Sequence, residues 1–163
     1  MIAVLFPGQG SIAPGAGRAW VDHPAWAVVS RVEAAADRPI APLLLDAPAE
    51  TLAGTDAAQL ATLALSLVAW EAVRPSVEER GIAGFAGHSL GQITALLASG
   101  AVAEDEGLAL AVARADACRA ADDEQPGRLA ALLGASLERA AEACAGINGC
   151  WVANDNAPGQ VVI

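Results

Sequence analysis

The chain opens with an unbroken apolar run, Ile2–Phe6, closed by Pro7-Gly8. A run this short, without polar alternation, predicts a strand buried on both faces. A second such run, Ile82–Ala86, follows the break at Gly81. Between them the spacing turns helical. Trp26, Val29, Val32 and Ala36 share one face of a helix predicted over Pro24–Arg38, with Pro39 as its stop. Leu43–Leu45 and Pro48–Leu52 predict short helices or turns. Ala57–Val73 predicts a long buried helix ended by Pro75. After the second strand, Gln92–Ser99 and Glu104–Ala121 read as helices, the first ended by Gly100 and the second by Pro126-Gly127. Strands alternating with helices predict an α/β fold with a parallel sheet.

Beyond residue 125 the pattern changes. Leu129–Leu133 predicts a strand, Leu137–Cys144 a helix, and Trp151–Ala153 and Gln160–Ile163 two strands around an Asn/Pro/Gly turn. Two units are therefore expected, 1–125 and 126–163. The second ends on the apolar Gln160-Val161-Val162-Ile163, which reads as a strand interrupted or completed by another chain.

Composition narrows the functions. The 163 residues carry a net charge of −10, and all nine basic residues are arginine. That balance argues against a large nucleic-acid footprint, which needs a basic face, and against binding an anionic membrane surface. Ala57–Trp70 is shorter than the ~20 residues a membrane span requires. Cys118, Cys144 and Cys150 lack CxxC spacing and have only His23 and His88 to join them, so no metal site is expected. Met1–Phe6 has no basic lead-in of the kind a secretory leader shows, and a cytoplasmic location is expected.

The chemistry concentrates in Gly87-His88-Ser89-Leu90-Gly91, between a predicted strand and a predicted helix. Gly-x-Ser-x-Gly in that context is a nucleophile elbow. The tight turn projects the hydroxyl, and the following helix N-terminus offers N–H groups to an oxyanion. An elbow serine needs a base. No histidine follows His88; neighbours at a tight turn point apart; His23 reads as an exposed or capping residue. The first loop, Gly8-Gln9-Gly10-Ser11-Ile12-Ala13, also matches a dinucleotide fingerprint weakly, with Glu33 placed 33 − 13 = 20 residues on, but Pro7 and Pro14 fit that motif badly. The alternative is a loop whose N–H faces Ser89. Arg114 lies in an otherwise apolar helical stretch, Leu108–Cys118, where the ordinary explanation is a solvated surface arginine or one ion-paired with Asp116 or Glu104.

Together, Phe6-Pro7-Gly8-Gln9-Gly10-Ser11, the Gly-His-Ser-Leu-Gly elbow and Asn156-Ala157-Pro158-Gly159-Gln160-Val161-Val162-Ile163 resemble the malonyl-CoA:acyl carrier protein transacylase family, which includes polyketide synthase acyltransferase domains. The resemblance covers the whole chain but only the first part of a family member. It implies an α/β-hydrolase-like core, incomplete here, followed by the start of a small ferredoxin-like α+β subdomain. It implies Ser89 as acylated nucleophile, the N–H groups of Gln9 and Leu90 as oxyanion hole, Arg114 as the grip on the malonyl carboxylate, and His88 as a structural or binding residue of the elbow. A planar, permanently charged guanidinium suits a carboxylate. The substrates implied are malonyl-CoA, as a coenzyme A thioester, and an acyl carrier protein, with no permanently bound cofactor. The family's catalytic histidine falls beyond Ile163, which leaves room for a second chain supplying the C-terminal half. Gln92, Ile12 and Ala115 depart from the usual Glu, Gln and Gly. Two other readings stay open: an esterase or thioesterase built on the same elbow, and a non-catalytic subunit.

Overall fold

The computed structural model describes all 163 residues as two compact units, Met1–Glu124 and Gln125–Ile163.

In the first unit, strands β1 (Ile2–Phe6) and β2 (Ile82–Gly87) pair in parallel, from Ile2 opposite Ile82 to Phe6 opposite Gly87. Helices α1 (Ala27–Ala36), α4 (Thr55–Glu79), α5 (Gly91–Ser99) and α6 (Glu104–Glu124) supply the bulk. Two short helices, α2 (Ala41–Leu45) and α3 (Ala49–Leu52), connect α1 to α4. The main core gathers Val29 and Val32 of α1, Leu60, Leu63 and Val68 of α4, and Leu108, Ala111 and Ala115 of α6. Each large aliphatic buried here contributes about 1.5–3 kcal/mol relative to exposure. A smaller cluster seats the sheet: Trp70 of α4 packs edge-on against Phe6 (centroids 6.4 Å apart) and Phe85 (5.4 Å).

Several expectations need correction. The sheet is not buried on both faces: Leu5 is 72% exposed, and Ala83, Gly84 and Ala86 are exposed with it. Helices cover one face only, where Phe6, Val4 and Phe85 pack with Trp70 of α4 and Ala95 of α5. Pro75 does not end α4, which runs 25 residues to Glu79 and stops before Gly81 (φ 76°). A proline forfeits its own N–H bond, yet α4 is already fixed upstream by buried residues from Ala58 to Trp70. By length and composition α4 therefore qualifies to cross a membrane, contrary to the shorter estimate, although in this fold it is the central packing helix. The helix expected over Pro24–Arg38 begins as a 3₁₀ turn, Pro24–Trp26, and ends two residues early, at Ala36, because Asp37 adopts a left-handed conformation (φ 49°).

The second unit contains β3 (Ala131–Leu133), α7 (Leu137–Cys144), β4 (Asn154–Ala157) and β5 (Gln160–Val162). Its antiparallel sheet has the order β3-β5-β4, so the third strand lies between the first two. That is the opening half of a split β-α-β arrangement. Ser136 caps α7, accepting from the Arg139 N–H at 3.3 Å. The strand expected at Trp151–Ala153 forms instead over the polar Asn154–Ala157, an exposed edge held by backbone pairing rather than by side-chain burial.

Candidate active site

The site forms where β2 turns into α5. Ser89 has φ 53°, a left-handed conformation that costs an L-residue about 1–2 kcal/mol. Cross-turn bonds hold it there: the Gly91 N–H donates to the His88 carbonyl (2.8 Å) and the Gln92 N–H to the Ser89 carbonyl (3.0 Å). The His88 N–H continues the sheet ladder, donating to the Phe6 carbonyl at 3.0 Å. The two outer glycines are required by contact. A Cβ on Gly87 would collide with the Gly91 backbone, and one on Gly91 would collide with the Phe6 carbonyl. Strand, turn and helix are thus packed too closely for any side chain at either place.

The first glycine loop lies alongside. A Cβ on Gly8 would sit 2.9 Å from His88 Nδ1 and 3.5 Å from Ser89 Cβ. Gln9 follows it, exposed; Leu90 is fully buried at the N-cap of α5. No backbone hydrogen bond within the protein uses the N–H of Gln9 or of Leu90. Both groups flank the turn that carries Ser89.

Arg114 reaches the same point from α6. Its Nη2 donates to Ser89 Oγ at 2.8 Å and its Nη1 to Gln59 Oε1. The surface ion pairs offered as its ordinary explanation belong to other arginines: Arg38 holds Asp116, and Arg31 holds Glu104 at 2.5 Å. Gln59 is fully buried in α4. Its Nε2 donates to Thr55 Oγ1 (3.2 Å), and that hydroxyl donates to Gln9 Oε1 (3.5 Å). A single donor chain thus runs from Arg114 through Gln59 and Thr55 to Gln9, while a second bond from Arg114 holds Ser89. Gln59 and Thr55 had not been singled out. Their signal was present: two polar residues at i and i+4 share one face of α4, and Gln59 interrupts an apolar stretch.

The remaining candidates fall elsewhere. His88 is exposed on the turn, beside Gly8. His23 caps the Pro24–Trp26 turn, accepting from the Ala25 N–H at 3.1 Å. Glu33, the acid of the weak dinucleotide match, accepts from the Ile40 and Ala41 N–H groups (2.8 and 2.9 Å) and so caps α2. That removes the dinucleotide reading. No group of three or more His, Cys, Asp or Glu side chains is disposed to hold a metal.

The arrangement presents a hydroxyl oxygen at a strained turn, two N–H groups beside it, and a guanidinium within hydrogen-bond distance. The guanidinium stabilises negative charge but has no lone pair with which to take the hydroxyl proton. A base is therefore still required.

The fold is that of an α/β acyl transferase domain. Residues 4–163 match the family described as the acyl transferase domain, and the chain belongs to that family. It is 37% identical over 167 residues to the polyketide biosynthesis protein ThaF of Burkholderia thailandensis, covering all of this chain and 14% of that protein. It is 36% identical over 148 residues to the human mitochondrial malonyl-CoA-acyl carrier protein transacylase, covering 86% of this chain and 37% of the relative. Among solved structures, the transacylase MCAT of Mycobacterium tuberculosis superposes with a TM-score of 0.84 at 33% identity, over 99% of this chain and 54% of its own. The chain thus spans about half the length of the transacylase structures it resembles and a smaller share of the first curated relatives.

Proposed function

We propose that this chain carries the nucleophile and the carboxylate clamp of a malonyl transfer from coenzyme A to the phosphopantetheine thiol of an acyl carrier protein. The observation that carries the reading is Arg114 Nη2 held 2.8 Å from Ser89 Oγ, with Ser89 in a left-handed turn. In this reading Gly87–Gly91 is a nucleophile elbow. Ser89 Oγ attacks the thioester carbonyl, and its proton passes to a base. The N–H groups of Gln9 and Leu90 receive the oxyanion. The carbon–sulfur bond breaks, and coenzyme A leaves as its thiol. The carrier's thiol then attacks the acyl-serine, and Ser89 recovers its proton. Arg114 exchanges its bond to Ser89 for a bidentate grip on the free malonyl carboxylate, selecting a diacid over acetyl. His88 shapes the turn. The setting is cytoplasmic.

In this reading the general base comes from a second chain or segment, because the guanidinium that touches Ser89 Oγ has no lone pair with which to take its proton. Leu5, 72% exposed on the bare face of the sheet, favours a second chain or segment seated there that brings the base. The decisive experiment incubates the purified chain with malonyl-CoA or acetyl-CoA, alone and with a second polypeptide supplying the remaining length of a transacylase relative. Intact mass spectrometry reads the adduct. A malonyl adduct lost in Ser89→Ala, and weakened more than the acetyl adduct in Arg114→Ala, is expected in at least one of the two mixtures. Absence of any adduct in both, or an equal loss of malonyl and acetyl in Arg114→Ala, overturns the assignment.

A further inference from the structure

A second reactive pair lies in the Gln125–Ile163 unit and has no part in the acyl chemistry. Cys144 is the last residue of α7, 5% exposed; Cys150 is half-buried on the segment that leads into β4. Their Sγ atoms are 3.0 Å apart. Both are free thiols, and so is Cys118 on α6. The fold brings the pair together: the turn after α7 closes with the Ile147 N–H donating to the Cys144 carbonyl (2.9 Å) and the Cys150 N–H to the Ile147 carbonyl (3.2 Å). On the far side the Ala153 N–H donates to the Val162 carbonyl (2.7 Å), which ties the segment after Cys150 to β5. Cys144 is buried like its neighbours in the unit's small core, Ala140 and Val161.

We propose that Cys144 and Cys150 form an oxidative modification site, which exchanges with a low-molecular-weight disulfide to become an intramolecular disulfide. The half-exposed Cys150 is the attacking residue. Its thiolate displaces one sulfur of the small disulfide, breaking that bond and releasing one small thiol, and leaves a mixed disulfide on Cys150. Cys144 then gives up its proton and attacks Cys150 Sγ, and the second small thiol leaves. Two protein thiols are oxidised and one small disulfide is reduced to two thiols. Cys144 suits the resolving role because it is buried against Cys150 and out of reach of the small disulfide. Contact with Cys150, and then burial, raise its pKa above the ordinary thiol value. The closed bridge would fasten the end of α7 to the strand pair β4–β5.

The test uses the whole chain and oxidised glutathione, followed by alkylation with iodoacetamide and tryptic mass spectrometry. Cleavage after Arg114, Arg119 and Arg139 separates Cys118 from a C-terminal peptide that carries both members of the pair. The expected result is alkylation of one thiol instead of three, that of Cys118, with the C-terminal peptide lighter by about 2 Da than its reduced form. Cys144→Ser should instead retain a glutathionyl group on Cys150. Alkylation of all three thiols, or a persistent glutathionyl adduct on Cys150 in the unsubstituted chain, overturns the proposal. So does a rate of closure no faster in the folded chain than in urea, because the folded contact, and not the short spacing, is what the proposal invokes.

Discussion

Ser89 is held in the left-handed region, φ 53°, by the turn that carries it. Comparing Ser89→Gly with Ser89→Ala isolates this feature. Both variants lose the same bond from Arg114 Nη2. They differ by one methyl group at a half-buried position. A Cβ at left-handed φ costs about 1–2 kcal/mol. Against that, glycine adds freedom to the unfolded chain, which disfavours folding by about 0.4–1 kcal/mol. The glycine variant should therefore be the more stable of the two, by up to about 1.6 kcal/mol. At an ordinary negative φ the chain-entropy difference stands alone and the order reverses, so the sign decides the matter. Urea unfolding followed by far-ultraviolet circular dichroism gives both midpoints, with equal slopes confirming that the same surface is exposed. An alanine variant as stable as the glycine variant, or more so, refutes the strained turn.

Other outcomes follow from buried polar groups. Gln59→Leu removes the acceptor for Arg114 Nη1 and should cost about 1.5–3 kcal/mol, the range for bonds to charged groups, measured by the same urea titration. Thr62, 1% exposed, carries a hydroxyl without a hydrogen-bond partner. Thr62→Val should stabilise the chain by about 1 kcal/mol; destabilisation would mean that the hydroxyl is satisfied. Glu138, in the first turn of α7, has its pKa lowered by its own backbone N–H and then by Ser136. A carboxylate with a lowered folded pKa stabilises fully above its unfolded value, and this contribution is lost as pH falls through the lowered one. The protection factors of the α7 amides, which remove the intrinsic pH dependence of exchange, should therefore fall on acidification across that window, and Glu138→Gln should flatten the profile.

Much of this protein follows from short-range signals. The run Ile2–Phe6 and the glycines at 87 and 91 declare a strand and a tight strand-to-helix turn, because apolar runs and steric room act between near neighbours. Ser89 as the projecting hydroxyl was legible for the same reason. Edges of elements were less so. Pro75 reads locally as a stop, yet the packing of Leu60, Leu63 and Val68 carries α4 past it. Trp151–Ala153 looks more strand-like than Asn154–Ala157, and pairing with β5 chose the polar segment. The role of Arg114 was beyond local reading. Its neighbours on α6 suggested Asp116 or Glu104, while the fold delivered Ser89, 25 positions away, and Gln59, 55 away. Cys144 and Cys150 likewise read as unrelated thiols until the turn after α7 closed. Local chemistry determines where the chain turns and which groups it displays. Which groups meet depends on how α4 and α6 pack across the core, a long-range balance of burial that no single stretch of sequence contains.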